Sequence, residues 1–258
     1  MRHEEDVSPV SSAHVTVPPP LTVAVAQTTP VPADVEANVR DHARTVQRAG
    51  ASGARLCVFP ELSLTGYELA AIAKAPGLMA VTSDDGRLDP IRDACSATGV
   101  TALVGAPLRT PKGLQLATLV IGPTGDHGDS YGKMHLHGAE RDIFVPGREH
   151  RILELDGWRL GLAVCYDAAV PEHADEVHAA GADAYVVSAL YCAGEEHRLA
   201  EQTSRAAALG MWVVLAQFVG TTGPFQAIGR SGVWQPGGAT ASQLTDSLPG
   251  LAIVRLAR

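Results

Sequence analysis

Arg159-Leu160-Gly161-Leu162-Ala163-Val164-Cys165-Tyr166-Asp167-Ala168-Ala169-Val170-Pro171-Glu172 opens as an apolar run and closes in polar and turn-forming residues. An apolar run bounded by turn signals reads as a buried strand of a parallel sheet. One cysteine, Cys165, stands at the exit of that strand. A thiol there is held rigidly by the strand and can still face a cleft, which suits a nucleophile. Free cysteines also serve as small buried hydrophobes. This stretch alone leaves both readings open.

Outward from it, strands and helices alternate. Downstream, Pro171 near the start and Gly181 past the end delimit a helix over 171–180. Strands are predicted at 184–190 and 211–219, with a helix over 195–209 between them. The segment 231–234, the turn Gln235-Pro236-Gly237-Gly238 and a last strand at 250–256 follow. Upstream, Leu21–Gln27 is a short β-branched strand. Asp34 then opens a helix in which Val35, Val39, Ala43, Val46 and Ala49 recur at helical spacing, and Gly50 and Gly53 end it. A strand at 56–59 stops at Pro60-Glu61. A helix over 89–97, a strand over 100–107 and a strand over 115–121 come next, the last turning through Gly122-Pro123-Thr124-Gly125 as a hairpin. This alternation predicts an α/β fold. No short repeat and no long linker divides the chain, so 20–258 reads as one domain. Residues 1–19 are polar, run into Val17-Pro18-Pro19-Pro20, and read as a flexible tail that cannot bury enough apolar surface to offset its ordering entropy.

Composition narrows the function classes. The chain has 258 residues, 46% of them hydrophobic, and a net charge of −8. With no basic block it lacks the clustered cations that nucleic acid requires. No apolar run is long enough to cross a bilayer, and the acidic start, Met1-Arg2-His3-Glu4-Glu5-Asp6, is not followed by a signal-peptide core. A cytoplasmic location is expected. The four cysteines, Cys57, Cys95, Cys165 and Cys192, are scattered without metal-ligand spacing and need no disulfide in a reduced compartment. Cys57 and Cys95 lie among apolar residues and read as core.

A thiol is mostly protonated at neutral pH and needs a base or a cation beside it. Loops at strand ends offer candidates. Glu61 follows a strand directly, and Lys133 and Glu140 lie in the loop before the Cys165 strand. Together they would suffice for acyl transfer from an amide. Glu61 would take the thiol proton and pass it to the departing amine or ammonia. Cys165 would form a thioester. Lys133 and the backbone N–H after Cys165 would stabilise the oxyanion. Glu140 would fix Lys133 and the substrate nitrogen. Taken singly, a loop glutamate or lysine is most often a solvated surface charge.

Three segments make a pattern when read together. They are Phe59-Pro60-Glu61-Leu62-Ser63-Leu64-Thr65-Gly66-Tyr67, then Tyr131-Gly132-Lys133-Met134-His135-Leu136 through Glu140 to Phe144-Val145-Pro146-Gly147, then Gly161-Leu162-Ala163-Val164-Cys165-Tyr166-Asp167 through Pro171-Glu172. In content and order they resemble the three catalytic motifs of the nitrilase superfamily of carbon–nitrogen hydrolases. Weaker resemblance runs from Leu21 over nearly the whole chain, including Gly181-Ala182-Asp183-Ala184 and Gly229-Arg230-Ser231-Gly232-Val233. The resemblance implies Glu61 as base, Lys133 as oxyanion stabiliser, Cys165 as nucleophile and Glu140 as accessory carboxylate. It also implies a four-layer α-β-β-α sandwich, a dimer or larger homo-oligomer packed through helices near the active site, and no cofactor or metal. One departure stands out. Many members follow Arg-Ala with Glu-Asn in the helix after the nucleophile, whereas this chain reads Arg205-Ala206-Ala207-Ala208-Leu209-Gly210, which puts local packing and the pocket wall in question.

Tyr166-Asp167 and Pro171-Glu172 look more like the amidase and carbamoylase branches, since nitrile-cleaving members more often place Trp after the cysteine. Hydrolysis of a small amide to acid and ammonia or amine is therefore expected. The alternatives are a carbamoyl or nitrile substrate on the same triad, or a non-catalytic binding homologue. A Cys/His enzyme using His135, His137 or His173 is a rival on chemical grounds. A metal site is another, although His135/His137 and His173/His178 lack ligand spacing. For the substrate pocket, Tyr67, Tyr166, Tyr191 and the loop Cys192-Ala193-Gly194-Glu195-Glu196-His197 lie at strand ends on the Cys165 side. The acidic pair Glu195-Glu196 suits either a cationic substrate or the positive end of a helix.

Overall fold

A computed structural model describes residues 18–258. The expected tail falls mostly on 1–17, outside the described residues. Pro19 already lies against the body of the protein, its carbonyl accepting the Trp158 indole N–H at 2.8 Å.

The chain runs β1 (Leu21–Gln27), α1 (Val35–Ala51), β2 (Leu56–Val58), α2 (Leu69–Lys74), α3 (Pro76–Met79), α4 (Asp89–Thr98), β3 (Thr101–Thr110), β4 (Gly113–Ile121) and β5 (Tyr131–Gly132). It continues with β6 (Ile152–Leu155), β7 (Trp158–Val164), α5 (Pro171–Ala179), β8 (Ala184–Ala189), α6 (Glu196–Ala208), β9 (Trp212–Gln217), β10 (Val219–Thr222), β11 (Phe225–Ile228), β12 (Gly232–Trp234), β13 (Thr240–Gln243) and β14 (Gly250–Leu256). One six-stranded sheet has the order β14-β1-β2-β3-β4-β5 and the other β13-β12-β9-β8-β7-β6. Each has a parallel centre, β1-β2-β3 and β7-β8-β9, flanked by antiparallel strands. β10 and β11 form a separate hairpin.

Strand periodicity sorts the core into layers. Along β1, Val23 and Val25 join one cluster, and the intervening Ala24 and Ala26 join another. Along β9, Trp212, Val214 and Ala216 face the first cluster, and Val213 and Leu215 face a third. The shared cluster, which holds Leu56, Val58, Leu160, Leu162 and Val186, is the seam between the two sheets. The second is the contact of sheet one with α1 and α4, through Val35, Val39, Val46, Ile91 and Cys95. The third is the contact of sheet two with α5 and α6, through Ala174, Val177, Leu199 and Ala206. Three interfaces between helices, sheet, sheet and helices make a four-layer α-β-β-α sandwich, as the resemblance implies.

Most predicted elements lie within a residue or two of their expected bounds. Asp34 caps α1 by accepting the Ala37 N–H at 2.9 Å. The hairpin at Gly122 returns onto β4, with Gly128 N donating to Val120 O at 2.8 Å. Elements without a sequence expectation are short or polar: α2, α3, β6, β13 and the β10-β11 hairpin. Among the described residues no helix is long and apolar enough to cross a membrane.

Helix-to-sheet contact in the second half is close at Gly161. A Cβ there would sit 2.1 Å from Val177 Cγ1 on α5. Overpacking at this point is expected to destabilise Gly161→Ala by about 1–3 kcal/mol, lowering the melting temperature by roughly 2–10 °C. Thermal unfolding followed by circular dichroism checks this, and an unchanged midpoint would show that α5 yields without cost.

Candidate active site

The ends of the two parallel sheet centres meet at one cavity of about 330 Å³, lined by Glu61, Tyr67, Lys133, Glu140, Cys165, Tyr166 and Tyr191 among others. Carboxyl ends of parallel strands are where α/β sheets place ligands. The four candidate catalytic residues and the three candidate pocket tyrosines therefore stand around a single space.

Glu61 leaves β2 in a tight turn. Phe59 N donates to Leu103 O at 2.9 Å and Leu64 N to Gly105 O at 3.0 Å, and Leu62 takes φ +51°. Gly105 makes this approach possible, because a Cβ there would lie 2.1 Å from Pro60 O and 2.5 Å from Leu62 N. Lys133 follows β5, with its N–H on Leu116 O and its carbonyl on Gly147 N, both at 2.8 Å. Cys165 leaves β7 at φ +45°, a left-handed conformation that a non-glycine residue holds only when its surroundings enforce it. A short 3₁₀ turn, Cys165–Ala169, follows.

Asp167 supplies that enforcement. It is fully buried and accepts from His135 N at 2.8 Å, His135 Nδ1 at 2.9 Å, Tyr131 OH at 2.8 Å and Val164 N at 3.0 Å. It thus ties the lysine segment to the cysteine turn. Burial opposes its ionisation, but these donors, His135 first, hold its carboxyl below the ordinary value.

At the centre, the buried Lys133 ammonium bridges two carboxylates, donating to Glu61 Oε1 at 2.7 Å and Glu140 Oε1 at 2.6 Å. Glu140 also accepts the Tyr67 hydroxyl at 2.5 Å and His137 N at 2.7 Å. Glu61 differs. Its Oε2 is buried without a hydrogen-bond partner among the described residues, and the Cys165 thiol lies beside its carboxyl. Burial pushes the Glu61 carboxyl up to about 7, against the pull of Lys133 and with added repulsion from Glu140. Burial alone would lower the Lys133 ammonium, but Glu61, Cys165 and Glu140 outweigh it and hold it above its ordinary value. Burial, then the Glu61 charge, raise the Cys165 thiol well above its ordinary value, and Lys133 opposes both. The thiol donates to Leu190 O at 3.4 Å.

The carbon–nitrogen hydrolase profile matches residues 22–258. The chain belongs to the carbon–nitrogen hydrolase family. The structure is similar to that of a cysteine-to-alanine mutant of the Nesterenkonia AN1 amidase from the nitrilase superfamily, with a TM-score of 0.84 and 26% identity over 95% of this chain and 94% of that one. A mutant of the same amidase in complex with butyramide gives 0.83 and 28% over 93% of each chain. Another shows covalent addition of the acetamide moiety of fluoroacetamide at the active-site cysteine, with 0.83 and 27% over 95% and 94%. In sequence, a Pseudomonas protegens hydrolase is 30% identical over 85% of this chain and 77% of its own length. A Pyrococcus abyssi nitrilase is 28% identical over 62% of each chain.

In this carbon–nitrogen hydrolase the three histidines weighed as a thiol base, His135, His137 and His173, each have a partner other than Cys165. His135 is bound to Asp167. His173 Nε2 meets Tyr131 OH and its Nδ1 meets Tyr185 OH, both at 2.8 Å. Because Tyr131 spends its proton on Asp167, His173 must donate from Nε2 and accept at Nδ1, a neutral tautomer assigned from the network. Burial lowers its pKa to about 4, consistent with that form. His137 lines the cavity and stacks on Tyr166, ring centroids 4.6 Å apart. Among the described residues, no group of three or more His, Cys, Asp or Glu side chains is placed to hold a metal ion.

Cys192, Ala193 and Glu195 of the expected loop line the cavity. Glu195 stands at the N-cap position of α6, but its side chain accepts Cys192 N at 2.9 Å and pairs with Arg198 at 2.5 Å, so its charge is already matched by an arginine. Arg198 and Gln202 reach the same cavity but carried no sequence signal of their own. Glu195, Arg198 and Gln202 recur at i, i+3 and i+7, so helical spacing from Glu195 would have found them. Phe225, also in the lining, comes from the unread β10-β11 hairpin. Arg205, where the chain departs from the family pattern, pairs with Glu201 at 3.0 Å on α6 and lies outside the cavity lining.

Removing Asp167 strands several buried donors together. Asp167→Ala is expected to cost about 3–5 kcal/mol of stability. Urea denaturation measures this, and a loss under about 1 kcal/mol would mean that water replaces the carboxylate without penalty.

Proposed function

We propose that this enzyme hydrolyses a small amide to a carboxylic acid and ammonia or amine, through a thioester on Cys165. The observation that carries this reading is the asymmetry of the two buried carboxylates. Glu140 is engaged by Lys133, Tyr67 and the His137 N–H, whereas Glu61 keeps one oxygen free beside a thiol.

A base needs an empty acceptor within reach of the proton it takes and an affinity near the working pH. Glu61 meets both conditions. Cys165 attacks the amide carbonyl carbon as its proton passes to Glu61. The developing oxyanion is met by the third N–H of Lys133, whose other two are spent on carboxylates. The Tyr166 backbone N–H adds a second donor, being among the first N–H groups of the turn at Cys165–Ala169, which have no partner within it. Glu61 returns the proton to the leaving nitrogen, and the C–N bond breaks. Water then attacks the thioester, giving one proton to Glu61, which passes it to the departing sulfur. Glu140 holds Lys133 in place throughout. The volume of about 330 Å³ suits a small substrate, with Tyr67, Tyr166 and Tyr191 as contact surfaces.

Amides of graded length, with N-carbamoyl amines and nitriles alongside, test the reading by release of ammonia. Cys165→Ala is expected to lower turnover by about three orders of magnitude or more, and Lys133→Met by about 10²–10³-fold. Nitrile turnover without amide turnover would overturn the amide assignment.

The carboxyl of Glu61 must be ionised to act as base, and its raised value places it largely protonated below neutrality. The pH profile of kcat/KM is therefore expected to climb through about 7, falling tenfold per pH unit on the acid side. A profile flat down to pH 5 would exclude Glu61 from this role.

A further inference from the structure

Beside the catalytic cavity lies a second space of about 410 Å³, lined by Met134, His135, Leu136, Arg141, Phe144, Pro146 and Tyr166. The two spaces share one lining residue, Tyr166. They also share a segment. Lys133, His137 and Glu140 face the catalytic cavity, while their neighbours Met134, Leu136 and Arg141 face the second space. The stretch 133–146 thus lies between the two spaces, with Lys133 and Glu140 on the catalytic side and the apolar Met134, Leu136, Phe144 and Pro146, beside His135 and Arg141, on the other. Leu136 and Phe144 are largely buried in it.

Tyr166, which lines both spaces, stacks on His137 at 4.6 Å between centroids and 29° between planes. Both halves of the stack are anchored to the site. His137 donates its backbone N–H to Glu140 Oε2 at 2.7 Å, and Tyr166 follows Cys165 directly. The stack therefore stands next to the reacting atoms and is fixed by them.

We infer that the Tyr166–His137 stack is a partition that confines this enzyme to small amides, and that the apolar space behind it is a second subsite able to take a hydrocarbon substituent of an amide. The inference rests on Cys165 being the reacting atom in the proposed function. Its supports are continuity of the two spaces through one side chain, the apolar character of Met134, Leu136, Phe144 and Pro146, and the volume on the far side.

Alkylation of Cys165 reads the partition without needing turnover. A cysteine of the Nesterenkonia amidase accepts the acetamide moiety of fluoroacetamide, so haloacetamides are suitable probes. The full chain is treated with 2-chloroacetamide, N-benzyl-2-chloroacetamide and 2-chloro-2-phenylacetamide. Modification at Cys165 is followed by peptide mass spectrometry, which separates it from Cys192. The wild type is expected to react with the two bulky reagents at least about tenfold more slowly than with 2-chloroacetamide, relative to their rates with free thiol. Tyr166→Ala is expected to narrow that gap about tenfold or more for at least one bulky reagent. Relief confined to the N-benzyl reagent places the leaving amine toward the second space, and relief confined to the α-phenyl reagent places the acyl group there. Adding Leu136→Trp to Tyr166→Ala is expected to restore the gap by refilling the space. Should Tyr166→Ala fail to fold, His137→Ala removes the other half of the stack and carries the same expectation. Equal reactivity of the wild type toward all three reagents, an unchanged ratio in the variants, or no reversal by Leu136→Trp would overturn the inference. If the wild type discriminates by size as expected but turns over no amide, the partition stands and the proposed reaction falls.

Discussion

A lysine ammonium with no exposure to solvent sits between two carboxylates, and the rest of the site depends on it. An ion buried alone is prohibitively costly, and a buried pair is tolerated only when geometry and hydrogen bonding are close to complete. Here the balance is two negative groups to one positive. Burial first, with the Glu140 charge added to it, keeps Glu61 reluctant to ionise, and burial with the Glu61 charge added keeps Cys165 reluctant to lose its proton. A site with Glu140 alone would be better compensated but would lack the unpaired carboxylate oxygen that Glu61 holds. Glu140 therefore does two opposed things. It anchors Lys133, and by repulsion it helps to raise Glu61 toward the pH at which a carboxylate can both take and return a proton.

The fold supports this by dividing labour between the sheets. Sheet one contributes Glu61 and Lys133, and sheet two contributes Cys165 and Tyr191. Side chains of the seam, such as Val58 and Leu162, set the spacing. Asp167 then fixes the relative position of the lysine segment and the cysteine turn through hydrogen bonds to both. The strained backbone at Cys165 and the close approach at Gly105 are local costs that this scaffold holds in place.

Much of this was legible in the chain. β1, α1, β7, α5, β8 and β9 are strongly periodic and bounded by clear caps or glycines, and their burial follows the pattern of their sequences. The motifs of Glu61 and Cys165 led to one cavity because each lies just past a strand of a parallel centre, whereas Lys133 follows the short antiparallel edge strand β5. Other features were not legible. α2, α3 and β13 are too short or polar for periodicity to register. The β10-β11 hairpin, and Phe225 with it, depends on pairing across the chain rather than on local propensity. The distinction between Glu61 and Glu140 was invisible because it lies in which oxygen remains unpaired. The meaning of Glu195 turned on Arg198, three residues away on the helix, a neighbour that helical spacing offers and whose pairing with Glu195 the structure shows.

That Cys165 and Glu61 come from opposite sheets has a bearing on how the protein can change over time. Val58 and Leu162 of the inter-sheet seam lie outside the lining of the catalytic cavity, yet their thickness helps to set how far apart the two sheets hold the sulfur and the carboxylate. A methylene added or lost at Leu162 or Val58 is thus a small adjustment of the reaction coordinate, made from the interior. Drift in such aliphatic positions offers a lineage a continuous dial on catalytic efficiency, one that leaves every polar group of the site in its place.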